Sequence, residues 1–246
     1  PAIDFYIELE GELGFVDLVN KLAENNFSKI NLKKNHTKIL NTSYIIEDSF
    51  ISGPIERIKD INIIPSPYLT GAMDYFFNHP LVPLIETTRG CPFTCTFCAD
   101  GLPEKSKVIR RDFQRTKEEL TYIAKKIKNN NELMISDLNF GMYKQDLETA
   151  KMVAEIQDKY NYPSIIDTPA GKNMPERTIQ VASTMKGWLM GGSIQSTDPD
   201  VLRAVKRSNI SLEAYRKLMD FGNKRGRTYS EIILALPEDT KQKHYE

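Results

Sequence analysis

No stretch of this 246-residue sequence approaches the roughly 20 consecutive apolar residues that a helix needs to cross a bilayer, so no such span is expected. The opening residues, Pro1-Ala2-Ile3-Asp4, lack the basic-then-apolar pattern of a secretion signal. They also lack an initiator Met, which implies a chain that begins inside a longer protein. Net charge is absent too: 33 Lys and Arg balance 33 Asp and Glu, so there is no global electrostatic case for nucleic acid as a partner. One local excess stands out, nine Lys or Arg against four Asp or Glu over residues 101–130. It fits a solvated helix face with its leading loop, the sharper alternative being a basic rim that attracts an anionic substrate. Cysteine is scarce: three residues, all within positions 91–98. An odd, tightly grouped set cannot build a disulfide framework and points to metal or redox chemistry in a reducing compartment, hence a cytoplasmic protein.

What is present suits one large soluble domain, or one domain with a smaller lobe, since 40% of residues are hydrophobic and 27% charged. No repeat or low-complexity tract is evident. In residues 1–60, Ile3, Phe5 and Ile7 alternate with polar residues as in a half-buried strand. Phe15, Leu18, Val19 and Leu22 then recur at helical spacing, and residues 25–60 read as a linker with room for a small hairpin. Pro65, Pro67 and Gly71 break regularity.

From residue 81 the pattern turns to alternating strands and helices. Strands are expected over 81–88, 132–137, 164–168, 187–196 and 228–236. The intervening helices start at Thr116, through a Thr-Lys-Glu-Glu capping box, and near 145, Pro175, Pro199 and Ser211, the last stopping before Gly226. Five β-α steps in one direction imply an α/β fold with a parallel sheet and helices outside, as in a full or partial barrel.

The string Arg89-Gly90-Cys91-Pro92-Phe93-Thr94-Cys95-Thr96-Phe97-Cys98 spaces its thiols as C-x3-C-x2-C, directly after the first of these strands. Thiolates are the usual ligands of iron–sulfur clusters. Three of them on a 4Fe–4S cluster leave one iron free to chelate a substrate or cofactor, and the carboxyl end of a strand is where α/β folds place active sites. A zinc site would need a fourth ligand; the nearest His, His79, lies 12 residues upstream of Cys91 and reads as a loop residue before Pro80.

The cysteine string resembles that of the radical S-adenosylmethionine superfamily, over roughly residues 60–246. That resemblance implies a partial (β/α) barrel in which Cys91, Cys95 and Cys98 hold a 4Fe–4S cluster and S-adenosylmethionine chelates the open iron. One electron from an external donor of flavodoxin or ferredoxin type then releases a 5′-deoxyadenosyl radical that acts on substrate. It also implies cofactor contacts. Phe97 matches the aromatic near adenine. Asp137 and Asn139, in Ser136-Asp137-Leu138-Asn139-Phe140-Gly141, stand where relatives bind the methionyl amine, although the usual Gly-Gly-Glu is absent. Ser193, Gln195 and Ser196 end the fourth strand as cofactor contacts, Gln195 and Ser196 at the ribose or carboxylate, followed by Arg207 as a carboxylate partner or a surface ion pair. Lys172, after the third strand, either overlooks the pocket or faces water.

The N-terminal string Asp4-Phe5-Tyr6-Ile7, with Leu9-Glu10-Gly11-Glu12, resembles the junction after a cobalamin-binding domain. Residues 1–60 are therefore expected to be the end of such a region with a linker, and 61–246 the radical core, truncated at its C-terminus. The branch implied is a cobalamin-associated radical enzyme acting on a small molecule by methyl transfer or rearrangement. A methylthiotransferase-like modifier of RNA or protein, and a non-catalytic iron–sulfur module, are the alternatives. The run Ile232–Leu236 is expected to be a strand covered on both faces, leaving an unpaired edge that favours aggregation if the chain ends ten residues later.

Overall fold

The computed structural model describes residues 3–225 and 228–245. The chain divides into two compact units, Pro1–Asp60 and Ile61–Glu246.

The first unit holds β1 (Tyr6–Ile7), α1 (Gly11–Glu24), α2 (Lys29–Lys34), β2 (Thr42–Ile46) and β3 (Ser49–Ser52). The three strands make an antiparallel sheet in the order β1-β2-β3. Leu18 from α1, Leu32 from α2, Ile39 and Tyr44 form its core. Residues 25–60, expected as a linker with room for a small hairpin, carry that hairpin and also a helix. Ser28 caps α2 by accepting from Asn31 N, and Asn41 holds the end of the unit by bonding Glu56 through both its amide atoms.

The second unit contains β4 (Leu84–Ile85), β5 (Thr88–Arg89), β6 (Ile109–Arg110), α3 (Phe113–Lys126), β7 (Glu132–Ile135), α4 (Asp146–Tyr160) and β8 (Ile165–Pro169). It continues with α5 (Pro175–Thr184), β9 (Trp188–Gln195), α6 (Pro199–Ala204), α7 (Leu212–Asn223), β10 (Thr228–Ile232) and α8 (Lys241–Tyr245). Five strands form a parallel sheet in the order β4-β7-β8-β9-β10, so each strand lies beside its predecessor in the chain. Apolar side chains of α3, α4, α5 and α7 pack on β7, β8 and β9 in one core that includes Leu120, Ile123, Leu133, Ile135, Val153 and Ile166. The expected α/β fold with a parallel sheet is what forms.

Three elements of the second unit depart most from the expectation, each for a local reason. The first strand shrinks to Leu84–Ile85 because Thr87 and Thr88 turn to the carboxylate of Asp137, and Thr88–Arg89 pair with Ile109–Arg110 instead. Helix α3 begins three residues early. Asp112 caps it by accepting from Arg115 N at 2.9 Å, while Thr116 is buried in the first turn and donates to Asp112 O at 2.9 Å. The last strand stops at Ile232, where its register against β9 shifts; Ala235 then takes a positive φ of 60°. The apolar run is therefore not a strand covered on both faces: Ile232 is 59% and Leu234 73% exposed. Helix α7 ends at Asn223, and the expected stop at Gly226 lies outside the described residues.

Candidate active site

The cysteine loop leaves the sheet at the carboxyl end of β4 and returns through β6. Its closing bonds are backbone: Cys91 N donates to Lys105 O, Cys98 N to Cys95 O, and Gly101 N to Cys98 O, at 3.0–3.1 Å. Gly101 is required by this winding, since a Cβ there would lie 2.3 Å from Cys95 O. Thr96 N anchors the far side on Val205 O at 3.1 Å. At the loop's root Arg89 pairs with Glu86 through two bonds of 2.8–2.9 Å, and Arg111 approaches the same carboxylate at 3.7 Å. Cys91 and Cys95 are buried and Cys98 is half-buried.

The loops after β7 and β8 are stitched together beside it. Phe140 N donates to Pro169 O and Gly171 N to Phe140 O, making a parallel bridge between Phe140 and Ala170. This places Asn139 and Lys172 against the same thiol: Asn139 Nδ2 is 3.4 Å and Lys172 Nζ 3.9 Å from Cys91 Sγ. Asn139 is buried, and its Oδ1 has no hydrogen-bond partner. Lys172 faces the cysteine loop rather than water, with its ammonium 5.3 Å from the centre of the Phe93 ring.

Asp137 sits elsewhere. It is completely buried, and its carboxylate accepts from the backbone N–H and hydroxyl of both Thr87 and Thr88. Four donors occupy the four positions a carboxylate offers, so Asp137 ties β7 to the root of the cysteine loop and has no free acceptor for a methionyl amine. Burial nonetheless pushes its pKa up to about 6 against the opposing pull of those bonds.

Around the end of β9 two of the expected residues, Ser193 and Arg207, line one cleft, while Gln195 and Ser196 lie outside its lining. Ser193, Ile194, Arg207 and Asn209 line it together with Gly171 and Lys172. The Arg207 side chain is buried; Nε donates to Asn209 Oδ1 at 2.8 Å and one terminal nitrogen donates to Ser193 O, which excludes the surface ion-pair reading. Ser193 Oγ donates to Glu231 on β10, and Ser196 Oγ accepts from Asp198 N. Gln195 has a left-handed φ of 64° and a buried Oε1 without a partner. Phe97 packs on Val201, Val205 and Leu236. Tyr143 is not singled out by the sequence. Its ring lies 4.7 Å from the Arg110 guanidinium, its hydroxyl is buried without a partner, and burial, with the charge of Cys91 second, pushes its pKa up to about 12.

Three thiols on one loop fit an iron–sulfur cluster in donor chemistry, and the ammonium and amide at Cys91 suit an anionic sulfur. Among the described residues no three His, Cys, Asp or Glu side chains converge as for a single metal ion. Thiolates that each serve a different iron need not converge in that way. His79 packs against Tyr75, with ring centres 4.9 Å apart and planes tilted by 48°.

A parallel α/β sheet carrying a three-thiol loop at its carboxyl end defines the class. Residues 85–245 match the model of the Radical SAM superfamily, and the chain belongs to that family. Among curated proteins it is 34% identical over 250 residues to the 2-(S-pantetheinyl)-carbapenam-3-carboxylate methyltransferase of Streptantibioticus cattleyicolor, with 96% of this chain and 35% of that one covered. It is 32% identical over 253 residues to the cobalamin-dependent radical SAM methyltransferase TokK of Streptomyces tokunonensis, covering 98% of this chain and 36% of that protein. The chain thus spans about a third of the length of these relatives. In fold it resembles the radical S-adenosylmethionine methyltransferase TsrM of Kitasatospora setae, solved with cobalamin and a [4Fe-4S] cluster bound. The TM-score is 0.67 at 12% identity, over 98% of this chain and 48% of that one.

Proposed function

We propose that this chain is the core of a cobalamin-associated radical S-adenosylmethionine enzyme that transfers a methyl group to a small molecule. The observation that carries the reading is the set of three thiols on one loop, two of them buried, at the carboxyl end of the parallel sheet. Cys91, Cys95 and Cys98 would hold the 4Fe–4S cluster and leave one iron open for S-adenosylmethionine. When bound, the pair supplies a 5′-deoxyadenosyl radical after one electron arrives from an external flavodoxin- or ferredoxin-type donor. Methyl transfer is supported by the names of both curated relatives, and cobalamin by that of TokK. No described helix is long and apolar enough to cross a membrane. The grouped free thiols support a reducing, cytoplasmic setting.

The chain's own residues bind and orient. Asn139 offers a buried, unpartnered Oδ1 as acceptor for the methionyl amine, in place of the fully occupied Asp137. Arg207 is held by Asn209 and Ser193, which leaves Nη1 to approach a carboxylate along the cleft. Ser193, Gln195 and Ser196 border the ribose position, with the unpaired Gln195 Oε1 as an acceptor for a hydroxyl. Phe97 walls the adenine side. We assign residues 61–246 to the radical core and 1–60 to the end of a preceding cobalamin-domain region.

Anaerobic reconstitution tests the reading. It should load about four irons and four sulfides per chain, the composition of a 4Fe–4S cluster. Single Cys91→Ala, Cys95→Ala and Cys98→Ala variants should lose stable loading, and S-adenosylmethionine should change the electron paramagnetic resonance spectrum of the reduced wild-type cluster. Full loading in all three variants, or tight zinc in place of iron, would overturn it.

A further inference from the structure

Two donors converge on a single thiol, and their role there rests on Cys91 being a ligand of the proposed cluster. Asn139 and Lys172 come from different β-α loops, yet both reach Cys91 Sγ, at 3.4 and 3.9 Å. The backbone bridge between Phe140 and Ala170 fixes the spacing of the loops that carry them. Asn139 is 2% exposed, so its amide has little freedom to turn. A thiolate can only accept, which sets Nδ2 and not Oδ1 on the sulfur. The Lys172 ammonium is confined between that sulfur and the face of Phe93, a residue of the cysteine loop itself. A cation held there is only partly hydrated, and its field at the sulfur is less screened than that of a surface lysine.

We propose that Lys172 and Asn139 set the reduction potential of the cluster through Cys91. The step concerned is one-electron reduction: an electron from the external donor enters the cluster, no bond is made or broken, and the cluster gains one unit of negative charge. A fixed ammonium and an N–H donor at a ligating sulfur stabilise the more negative state over the less negative one. Their presence therefore raises the potential and makes the cluster easier to reduce; hydrogen bonds to sulfur and local charge are known levers on such potentials. Neither residue ligates iron, and the effect does not require S-adenosylmethionine to be bound.

The test is a redox titration of the reconstituted full chain without S-adenosylmethionine, followed by the paramagnetic signal of the reduced cluster, with iron and sulfide assayed in every sample. Lys172→Met should move the midpoint to a more negative potential, and Asn139→Ala should move it the same way. The double variant should lie below either single one. Lys172→Arg, which keeps the cation, should stay near wild type. Lys172→Gln is the second charge-removing variant, and whichever of the two loads its cluster decides the question. A fully loaded Lys172→Met or Lys172→Gln protein with an unmoved midpoint would overturn the proposal. That result would leave the function reading intact, whereas a wild-type chain that holds no cluster would remove the function reading instead.

Discussion

At the scale of the residue, Asp137 shows how far a sequence position can mislead. Its place after a strand and ahead of Asn139 makes it a candidate for the cofactor's amine. Its actual partners, Thr87 and Thr88, lie 50 and 49 residues away, and nothing local marks them. Separations of 48 and 81 residues likewise hide the meeting of Asn139 and Lys172 at Cys91, whereas the three thiols, related by spacing alone, are legible at once. Asp137 also has a measurable signature. Its pKa rises from 3.8 to about 6 on folding because burial disfavours the ionised form. For an acid whose folded pKa is raised, the stabilising contribution is full below the unfolded pKa and is lost as pH climbs through the folded one. Asp137→Asn keeps the shape. Its Oδ1 can accept from both backbone N–H groups, and its Nδ2 can donate to the two hydroxyls once they rotate. The expected outcome is that the variant gains on wild type between about pH 4 and pH 7, by on the order of 3 kcal/mol or less. Urea unfolding of both proteins across that range, under anaerobic conditions, checks it; a constant difference would show that Asp137 does not titrate there.

At the scale of the element, regular pattern is legible where terminal chemistry agrees with it. Helix α5 spans Pro175–Thr184, as its first-turn proline indicates, and α6 opens on Asp198 accepting from Asp200 N and Val201 N. Helix α3 shows the failure of a motif taken alone. Thr116 fits a capping box, yet Asp112 is a better cap because its non-helical backbone (φ −58°, ψ 137°), two residues after β6, lets its side chain meet Arg115 N directly. Thr116 is then consumed inside the helix. Asp112→Ala should therefore destabilise the protein by about 1 kcal/mol, within the usual range of roughly 0.5–2 for a lost cap. Thr116→Ser keeps the hydroxyl that bonds Asp112 O and should be the milder change. The midpoints of urea unfolding distinguish the two; an Asp112→Ala variant as stable as wild type would restore the capping-box reading.

At the scale of the whole molecule, the order of strands and helices can be read from alternation, but the edge of the sheet cannot. Five consecutive apolar residues from Ile232 look like a buried strand, and hydrophobicity by itself cannot tell a covered strand from one at an edge. In the structure β10 pairs with β9 on one side, and Ile232 and Leu234 are largely exposed. Exposed apolar residues at a strand edge are a template for self-association. The pair of substitutions Ile232→Lys and Leu234→Lys should reduce self-association in size-exclusion chromatography with light scattering. It should leave stability to urea within about 0.5 kcal/mol, as expected for surface positions. A marked loss of stability would mean that these side chains are covered in solution.

The strand order also bears on how the chain assembles as it is made. Because β4, β7, β8, β9 and β10 neighbour one another in the sequence in which they are synthesised, each strand can settle beside one already present. Growth can proceed in one direction, although each parallel pairing must first close a crossover, about 50 residues long between β4 and β7. The cysteine loop belongs to the first step of this progression, while Asn139, Lys172 and the Ser193–Arg207 wall arrive in later ones. For that interval the nascent polypeptide carries three thiols with no finished enclosure around them. Until that enclosure forms the thiols are open to oxidation or mispairing, so reducing conditions during synthesis should raise the yield of chain that loads a cluster.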